Sequence, residues 1–404
     1  MRLLIADKLH PRAIEELRAL PIEVIYEPEI TRETLEQKIQ NVGILVVRST
    51  EVTETAVENA RMLHLIVRAG ANYATIDAKA ASRRGIYVAN CPGKNASAVA
   101  ELVLGMIVAI DRRIPDAMTS LRSGKWERGE YSKAEGVFGK TIGIAGVGAV
   151  GREVAMRAKA FGLNVIGWSR SLTPSKAAEL GMAYAGSLEE LASKSNVLSM
   201  HLPLTDRTRQ IVNKRIFSAM PARAIFLNTA RADLVDQTAL REAVRNGLRV
   251  GIDVYTDEPK GRGEYHSDLF APATATGGFV YGTPHIAAST DQAQLSIATE
   301  TVRVIRSFLL EAHVPNVVNT SSSIAKFQVV IRMMDKVGTF ANVLAVLKRH
   351  GINVEEVTNT VFEGGAAACA KLRVVSRPTE VCLSEIRAFE EVLQVDVVTL
   401  PNLA

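Results

Sequence analysis

The chain contains little that would favour a secreted, metal-binding or nucleic-acid-binding protein. It has only three cysteines in 404 residues, and none of them forms a Cys-x-x-Cys pair, so the sequence predicts neither a disulfide framework nor a zinc site. Aromatic residues make up only 5% of the chain, and the net charge of +5 is dispersed rather than gathered into a basic run. We therefore expect no metal ion and no nucleic-acid partner, and interpret the positive charge as favouring solubility and anionic small molecules.

Long apolar segments are also missing. The longest apolar stretch, residues 98–110, is short and is interrupted by Glu101, so no membrane-spanning helix is predicted. Near the first residue only four apolar residues precede Asp7, which is too few for the apolar core of a signal peptide. These features predict a cytoplasmic protein that contacts no membrane.

The apolar pattern that is present predicts α/β domains with parallel sheets. From residue 1 to about 96, short β-branched runs alternate with polar helical patterns, and residues 141–254 repeat the alternation. Strands this apolar are typical of doubly wound parallel sheets that are covered on both faces. One long helix is predicted from Ser97 to about Gly124, weakened by Pro115, and another from residue 290 to 311.

The last part of the chain has a different pattern. The polar run 319–323 is typical of a linker. Beyond it, strands are predicted at 327–331, 354–361, 371–375 and 395–400, with helices at 338–349 and 383–393. The resulting βαββαβ order predicts a small ferredoxin-like α+β domain.

A Gly-x-Gly-x-x-Gly turn lies between a strand and a helix of the second α/β region. Gly146 would permit the tight turn, Gly148 would let the backbone approach a pyrophosphate, and Gly151 would allow close helix packing. Because such a turn places a helix N-terminus against phosphates, the sequence predicts a dinucleotide-binding site.

The next strand ends in Ser169 and Arg170, where an acidic residue would bind the ribose of NAD. Serine removes the repulsion of a 2′-phosphate, and arginine can pair with that phosphate. We therefore predict that NADP is preferred and that NAD is an alternative cofactor. The competing interpretation is that Arg170 is a solvated surface residue.

Three polar side chains follow strands of the second region, at the edge where parallel sheets bind ligands. Arg231 could hold a carboxylate or carbonyl oxygen, His285 could move a hydroxyl proton, and Glu258 could hold the imidazole. These are the groups that hydride transfer at a hydroxy-acid carbon requires.

The three segments, in this order, resemble the D-isomer-specific 2-hydroxyacid dehydrogenases. Similar sequence words extend along nearly the whole chain, among them Arg68-Ala-Gly70 and His285-Ile-Ala-Ala-Ser-Thr290. The resemblance implies catalytic roles for Arg231, Glu258 and His285. It further implies cofactor-binding positions at Gly146, Gly148, Ala149, Val150, Gly151, Ser169, Arg170, His201, Pro203, Thr229, Ala230, Asp253 and Ala288, and substrate-binding positions at Arg48, Ser49, Gly70, Ala71 and Asn95.

The resemblance also implies a domain layout. Residues 1–96 and 290–318 would form a substrate-binding domain, 97–289 an NAD(P)-binding Rossmann domain, 319–325 a linker and 326–404 a regulatory domain that resembles an ACT domain. An amino-acid effector such as serine would bind near Gly338, and the assembly would be a homodimer or homotetramer. A dimerisation module without a ligand is the alternative for the last domain.

Within the family, the matching words point to members that interconvert 3-phospho-D-glycerate and 3-phosphooxypyruvate in L-serine biosynthesis. The sequence departs from the family pattern at Asn72, at Ala232-Asp233 and in a long loop at 260–279. Two alternatives therefore stay open: an NADPH-dependent reductase of glyoxylate, hydroxypyruvate or another 2-keto acid, and a non-catalytic regulator that senses a dinucleotide.

Overall fold

The computed structural model describes residues 1–259, 263–270, 277–311, 313–321 and 323–401. Contacts between Cα atoms divide the chain into two compact units, Met1–Asn319 and Thr320–Ala404. Parts of the predicted loop 260–279, of the predicted linker 319–325 and of the domains assigned to 97–289, 290–318 and 326–404 lie outside the described residues. The domain boundaries within the first unit stay a prediction.

The first unit begins with a parallel five-stranded sheet. Its strands are β1 (Arg2–Ile5), β2 (Glu23–Tyr26), β3 (Ile44–Val47), β4 (Leu65–Arg68) and β5 (Tyr87–Ala89), in the order β2-β1-β3-β4-β5. The connecting helices are α1 (Pro11–Arg18), α2 (Arg32–Lys38), α3 (Glu54–Asn59) and α4 (Ala78–Arg83), with a 3-10 turn at Ile39–Asn41. Every residue of β3 is buried, as expected for a strand whose two faces are both covered.

Two helices follow where one was predicted. α5 (Ala96–Arg112) ends at Arg113, which adopts a left-handed conformation with φ of 52°, and α6 (Ile114–Arg122) begins directly after it. Pro115 lies in the first turn of α6, where a missing N–H costs no hydrogen bond. The prediction of one continuous helix is therefore wrong, because the chain turns at Arg113 before the proline. A short helix, α7 (Arg128–Tyr131), comes next.

A second parallel sheet of seven strands completes the first unit. The elements, in chain order, are β6 (Thr141–Ala145), α8 (Ala149–Ala160), β7 (Asn164–Trp168), α9 (Pro174–Glu179), β8 (Ala183–Tyr184), α10 (Leu188–Ser193), β9 (Val197–Met200), α11 (Lys214–Ala219), β10 (Ile225–Asn228), α12 (Gln237–Arg245), β11 (Arg249–Ile252) and β12 (Phe279–Gly282), with 3-10 turns at Ala232–Leu234 and Asp268–Phe270. The strand order is β12-β11-β10-β9-β6-β7-β8. The order reverses between β6 and β9, and such a switch point is where open α/β sheets bind ligands.

The chain then returns to the first sheet through α13 (Asp291–Leu310). Buried residues of α13 such as Ile297 and Val304 share an apolar core with Ala13 and Leu17 of α1. Thr290 begins the helix, because its hydroxyl accepts a hydrogen bond from the backbone N–H of Ala293 at 3.1 Å.

The second unit has the predicted βαββαβ order. It consists of β13 (Phe327–Met334), α14 (Thr339–Arg349), β14 (Val354–Val361), β15 (Ala367–Val374), α15 (Glu380–Arg387) and β16 (Val392–Thr399). The sheet is antiparallel in the order β14-β15-β13-β16, and the predicted α/β and ferredoxin-like fold classes are confirmed.

Both ends of the last helix of this unit were predicted wrongly. α15 begins at Glu380, not 383, because the hydroxyl of Thr379 accepts a hydrogen bond from the N–H of Cys382. It ends at Arg387 rather than 393, because Val392 already pairs with Met333 of β13.

Of the helices in the described ranges, none combines the length and the apolar character needed to cross a bilayer.

Candidate active site

The glycine turn lies at the switch point of the second sheet. Gly146 has a φ of 102°, and a Cβ atom there would lie 2.6 Å from the carbonyl oxygen of His201. A Cβ atom at Gly151 would lie 2.1 Å from the carbonyl oxygen of Gly146. At Gly148 a Cβ atom would meet nothing within 4 Å. Gly146 and Gly151 are thus required by packing, and Gly148 leaves an open approach to the start of α8, which fits a dinucleotide pyrophosphate.

The end of β7 lies directly beside this turn. The carbonyl oxygen of Trp168 accepts a hydrogen bond from the N–H of Gly146 at 2.8 Å. Ser169 follows as a half-buried residue and Arg170 as an exposed one. A cationic side chain is therefore available close to the position where the ribose of a dinucleotide is expected.

A cleft of about 550 Å³ receives side chains from both sheets. The predicted site residues that line it are Arg48, Gly70, Ala71, Asn95, Val150, His201, Thr229, Ala230, Arg231, Asp253, His285 and Ala288. Ser49, Ala149, Ser169, Arg170, Pro203 and Glu258, together with the three glycines of the turn, are not part of this lining. The fold thus brings predicted substrate, cofactor and catalytic residues to one cavity.

His285 and Glu258 form a hydrogen-bonded pair. The distance between Nδ1 of His285 and Oε2 of Glu258 is 2.6 Å, and Oε1 of Glu258 accepts a hydrogen bond from the N–H of Tyr255 at 2.8 Å. Because the carboxylate engages Nδ1, the other ring nitrogen, Nε2, is left to exchange a proton with a ligand. This is the arrangement that a general acid and base requires.

Asp253 holds the loop that carries His285. Its buried carboxylate accepts hydrogen bonds from the hydroxyl of Thr283 at 2.5 Å and from the backbone N–H groups of Ile286 at 2.8 Å and Ala287 at 2.9 Å. His285 itself has a φ of 53°, a left-handed conformation that is unfavourable for a residue with a Cβ atom. These three hydrogen bonds stabilise the turn on both sides of the histidine.

Arg231 and its neighbours lie after β10. The side chain of Asn228 accepts a hydrogen bond from the N–H of Ala230 at 3.1 Å and donates one to the carbonyl oxygen of Arg231 at 2.9 Å. Nη1 of Arg231 donates to the carbonyl oxygen of Ala230 at 2.6 Å. The hydroxyl oxygen of Thr229 is buried without a hydrogen-bond partner. Asn228 was not among the predicted site residues, although its place at the end of β10 could have indicated its role.

Arg68 is a third arginine of the cleft that was not predicted as a site residue. Burial lowers the pKa of its guanidinium, and the nearby cations of Arg48 and Arg231 lower it further. Its Nε atom is buried without a hydrogen-bond partner. No ion pair among the described residues includes any of these three arginines. Arg68 ends β4, so its position at the carboxyl end of a parallel strand was the signal that could have identified it.

The predicted substrate segment after β4 is partly committed to internal hydrogen bonds. The N–H of Gly70 donates to the carbonyl oxygen of Arg68 at 2.8 Å, and the carbonyl oxygen of Gly70 accepts from the N–H of Cys91 at 3.0 Å. The carbonyl oxygen of Ala71 accepts from the side chain of Asn90 at 2.6 Å. The segment is therefore held in place by the residues that follow β5, with Gly70 and Ala71 at the cleft.

His201 lies in the cleft as a neutral ring. Burial lowers its pKa to about 4, and Nε2 lies 2.9 Å from the hydroxyl oxygen of Ser199. Its Nδ1 atom is buried without a partner. Pro203, also predicted to contact the cofactor, is exposed in the loop that follows.

Two other predictions concern a metal and an effector. Within the described ranges, no group of three or more His, Cys, Asp or Glu side chains could hold a metal ion.

In the second unit, Gly338 precedes α14 with a φ of 91°, and a Cβ atom there would meet nothing within 4 Å. The backbone at Gly338 is therefore accessible.

Comparison with known proteins gives this geometry a context. Residues 104–287 match the model of the D-isomer specific 2-hydroxyacid dehydrogenase NAD-binding domain. D-3-phosphoglycerate dehydrogenase of Methanocaldococcus jannaschii is 36% identical over 79% of this chain and 59% of its own length. The chain thus spans less than two thirds of that relative.

Two further relatives are matched over nearly their full length. Hydroxypyruvate reductase of Thermotoga maritima is 38% identical over 69% of this chain and 90% of its own. The NAD+-bound crystal structure of 3-phosphoglycerate dehydrogenase from Entamoeba histolytica is 26% identical, with a TM-score of 0.64 over 80% of this chain and 99% of its own. The chain therefore belongs to the D-isomer-specific 2-hydroxyacid dehydrogenases, which use a nicotinamide cofactor.

Proposed function

We propose that this protein interconverts 3-phospho-D-glycerate and 3-phosphooxypyruvate, a step of L-serine biosynthesis. The observation that carries the proposal is the presence of Arg48, Arg68 and Arg231 in the cleft that contains His285. The Nε atom of Arg68 is buried without a hydrogen-bond partner, and a buried N–H of a cation is costly unless an acceptor binds it. A substrate with a carboxylate at one end and a phosphate at the other would provide anions for all three arginines, whereas a simple 2-hydroxy acid carries only one.

In this proposal, proton transfer is assigned to the histidine pair. When the substrate is oxidised, Nε2 of His285 accepts the hydroxyl proton, and the carboxylate of Glu258 stabilises the imidazolium that forms. Arg231 binds the substrate carboxylate or the forming carbonyl oxygen. A bound nicotinamide would supply the hydride acceptor for the C2 hydrogen in this direction and the hydride donor in the other. Gly70, Ala71 and Asn95 would contact the rest of the substrate, with Arg48 and Arg68 at the phosphate.

Initial rates test the substrate assignment. We would compare 3-phospho-D-glycerate and D-glycerate in oxidation, and hydroxypyruvate, glyoxylate and 2-oxoglutarate in reduction. Arg68→Gln should raise the KM for 3-phospho-D-glycerate by about 10-fold to 100-fold, because a charge-assisted hydrogen bond contributes about 1.5–3 kcal/mol. The KM for hydroxypyruvate, which lacks the phosphate, should change by less than about threefold.

Arg61→Gln is the matched control, because Arg61 is exposed in the same sheet's connections and does not line the cleft. It should change neither KM. Efficient turnover of hydroxypyruvate with none of 3-phospho-D-glycerate would refute the assignment.

We further propose that NADP is preferred over NAD. Ser169 and Arg170 support this preference, because they follow β7 at the glycine turn and provide a cation without a competing acid. Arg170→Asp should reverse the preference by adding repulsion of the 2′-phosphate. The test is the ratio of kcat/KM for the two cofactors, and a wild-type ratio that favours NAD would contradict the proposal.

A reductase of hydroxypyruvate or glyoxylate is the second candidate. The observation in its favour is the Thermotoga maritima hydroxypyruvate reductase, of which the chain covers 90% at 38% identity. Such an enzyme needs only one substrate carboxylate to be bound, so three arginines would not be required and Arg68 would be dispensable. An Arg68→Gln variant whose KM values for phosphorylated and unphosphorylated substrates both stay at the wild-type level would favour this candidate.

For the second unit, we propose an ACT-like regulatory role with an amino acid such as serine bound near Gly338. The support is its βαββαβ topology and the accessible backbone before α14. Calorimetric titration of serine into the full chain tests this directly. We also propose a cytoplasmic homodimer or homotetramer, with domain boundaries at the residues given above. Sedimentation velocity measures the assembly state.

A further inference from the structure

Asp7 is a carboxylate that the proposed chemistry does not use. It lies near the arginine cluster of the cleft, which consists of Arg48, Arg68 and Arg231. Asp7 follows β1 and is only 8% exposed. One of its oxygens, Oδ2, accepts hydrogen bonds from three consecutive backbone N–H groups, those of Arg48 at 2.7 Å, Ser49 at 3.1 Å and Thr50 at 3.0 Å. Three successive amides that converge on one anion fix the conformation of the segment that donates them.

The second oxygen of the carboxylate binds the same segment. Oδ1 of Asp7 accepts a hydrogen bond from the hydroxyl of Ser49 at 2.7 Å. The only proton of that hydroxyl is therefore committed to Asp7, and Ser49 does not line the cleft. The predicted substrate residue Ser49 thus belongs to the support of Arg48, whose side chain does line the cleft.

Asp7 also acts on the cluster through its charge. The pKa of Asp7 lies below its ordinary value: burial alone would raise it, but the hydrogen bonds from residues 48–50 outweigh burial. The carboxylate in turn counteracts the lowering of the pKa of Arg68 that burial, Arg48 and Arg231 cause. A negative charge held at this place reduces repulsion among the three cations before any anionic ligand binds.

We propose that Asp7 is a positioning residue for anionic substrate, which acts by holding the 48–50 segment so that Arg48 faces the cleft. Asp7 does not line the cleft, so we assign it no direct contact with substrate or cofactor. Its contribution is to pre-order a flexible arginine, so that binding does not have to order it. The inference rests on the proposed function only in the choice of substrate, since Arg48 would bind the anionic end of any acid that the enzyme accepts.

Kinetics of Asp7→Asn, Arg48→Gln and the double variant test this role. Asp7→Asn keeps the size of the side chain, but it removes the negative charge and replaces one acceptor oxygen with an amide NH2 group, which donates hydrogen bonds. We expect the KM for 3-phospho-D-glycerate to rise about 10-fold, with kcat and the KM for the cofactor within about twofold of wild type. Because the hydrogen bonds of Asp7 act through the segment that carries Arg48, most of the effect of Asp7→Asn should be absent once Arg48 is replaced, so the double variant should have a KM within about twofold of that of Arg48→Gln alone.

Asp77→Asn is the matched control. Asp77 lies in the same sheet's connections and accepts a hydrogen bond from the N–H of Ala80 at 2.9 Å as the N-cap of α4. This substitution removes the same charge from an amide-binding carboxylate away from the cleft, so it should lower the melting temperature without changing the KM. If Asp7→Asn does not fold, Ser49→Ala takes its place in the cycle with Arg48→Gln, with an expected KM increase of about threefold.

The outcomes are distinct. Multiplicative effects of Asp7→Asn and Arg48→Gln, or equal losses in kcat and in cofactor affinity, would overturn the positioning role. Failure of the wild-type enzyme to turn over 3-phospho-D-glycerate would overturn the proposed function alone. In that case the same cycle is measured with the keto acid that the enzyme reduces, and non-multiplicative KM effects there would still support the role of Asp7.

Discussion

Replacing Glu258 with glutamine removes one negative charge from the His285 pair while it keeps the size of the side chain. The carboxylate lies 2.6 Å from Nδ1 of His285, so the charge centres of an imidazolium and the carboxylate would be roughly 4 Å apart. At that separation the attraction is about 1 kcal/mol in water and about 4 kcal/mol at the effective dielectric constant of a protein surface.

The exposure of the pair decides between these values. The side chain of His285 is 50% exposed and that of Glu258 is 33% exposed, so solvent screens part of the interaction. We expect a loss of about 2 kcal/mol of transition-state stabilisation, which corresponds to a decrease in kcat/KM of roughly 30-fold. The decrease should be smaller than that of His285→Ala, which removes the proton acceptor itself.

The assay is the initial rate in both directions, together with cofactor binding measured by fluorescence. Glu258→Gln should leave cofactor affinity unchanged, and adding it to His285→Ala should cause no further loss. Glu264→Gln is the control, because Glu264 forms a contact with His266 at 3.5 Å in which both side chains are about nine-tenths exposed. If the kcat/KM of Glu258→Gln equals that of the wild type, or falls no further than that of Glu264→Gln, the pair does not transfer the proton as proposed.

Two further predictions concern the glycine turn and a buried carboxylate. In Gly151→Ala the new Cβ atom would lie 2.1 Å from the carbonyl oxygen of Gly146. This substitution should therefore lower the free energy of unfolding by about 1–3 kcal/mol, and it should also lower cofactor affinity. Gly148→Ala should lower cofactor affinity alone, and equal unfolding losses in the two variants would contradict this difference. Hydrogen bonds from Arg303, Asn316 and Lys94 lower the pKa of Glu300 from 4.5 to about 2, so the stability that this carboxylate contributes is present above about pH 4.5 and is lost as the pH falls toward 2. Glu300→Gln should lower the free energy of unfolding at pH 7 by about 3 kcal/mol, and urea titrations at pH 7 and pH 3 should show a smaller pH dependence for this variant than for wild type.

Local signals in the sequence were sufficient for the fold class, and they selected many of the residues that the structure brings to the cleft. The glycine spacing after an apolar strand indicated the turn at Gly146, and the structure has that turn at the switch point of the sheet. The βαββαβ order of the last unit was readable because its strands and helices differ in apolar period. Helix ends were less predictable. The helix is interrupted at Arg113, whose left-handed conformation has no signal in the residue type.

Some residues of the site could be predicted from the sequence and others could not. Arg231, Glu258 and His285 follow strands of one sheet, so their order along the chain already indicated that they share an edge. Arg68 was not predicted as a site residue, because its role depends on the nearby charges of Arg48 and Arg231. These two residues approach Arg68 only in the folded protein. The hydrogen bonds between Asp7 and residues 48–50 join positions 41 to 43 residues apart, and no spacing rule links them.

The order of amino acids is enough to specify the α/β architecture, the glycine turn and the residues available for proton and anion chemistry, because backbone preference and apolar periodicity are local properties. The folded arrangement of the sheets then sets which side chains share the cleft and which carboxylates support it. Burial and nearby cations lower the pKa of Arg68, and burial keeps His201 neutral. Hydrogen bonds from residues 48–50 lower the pKa of Asp7. These quantities depend on distances between segments that are remote in the chain, and such distances exist only once the sheets have formed.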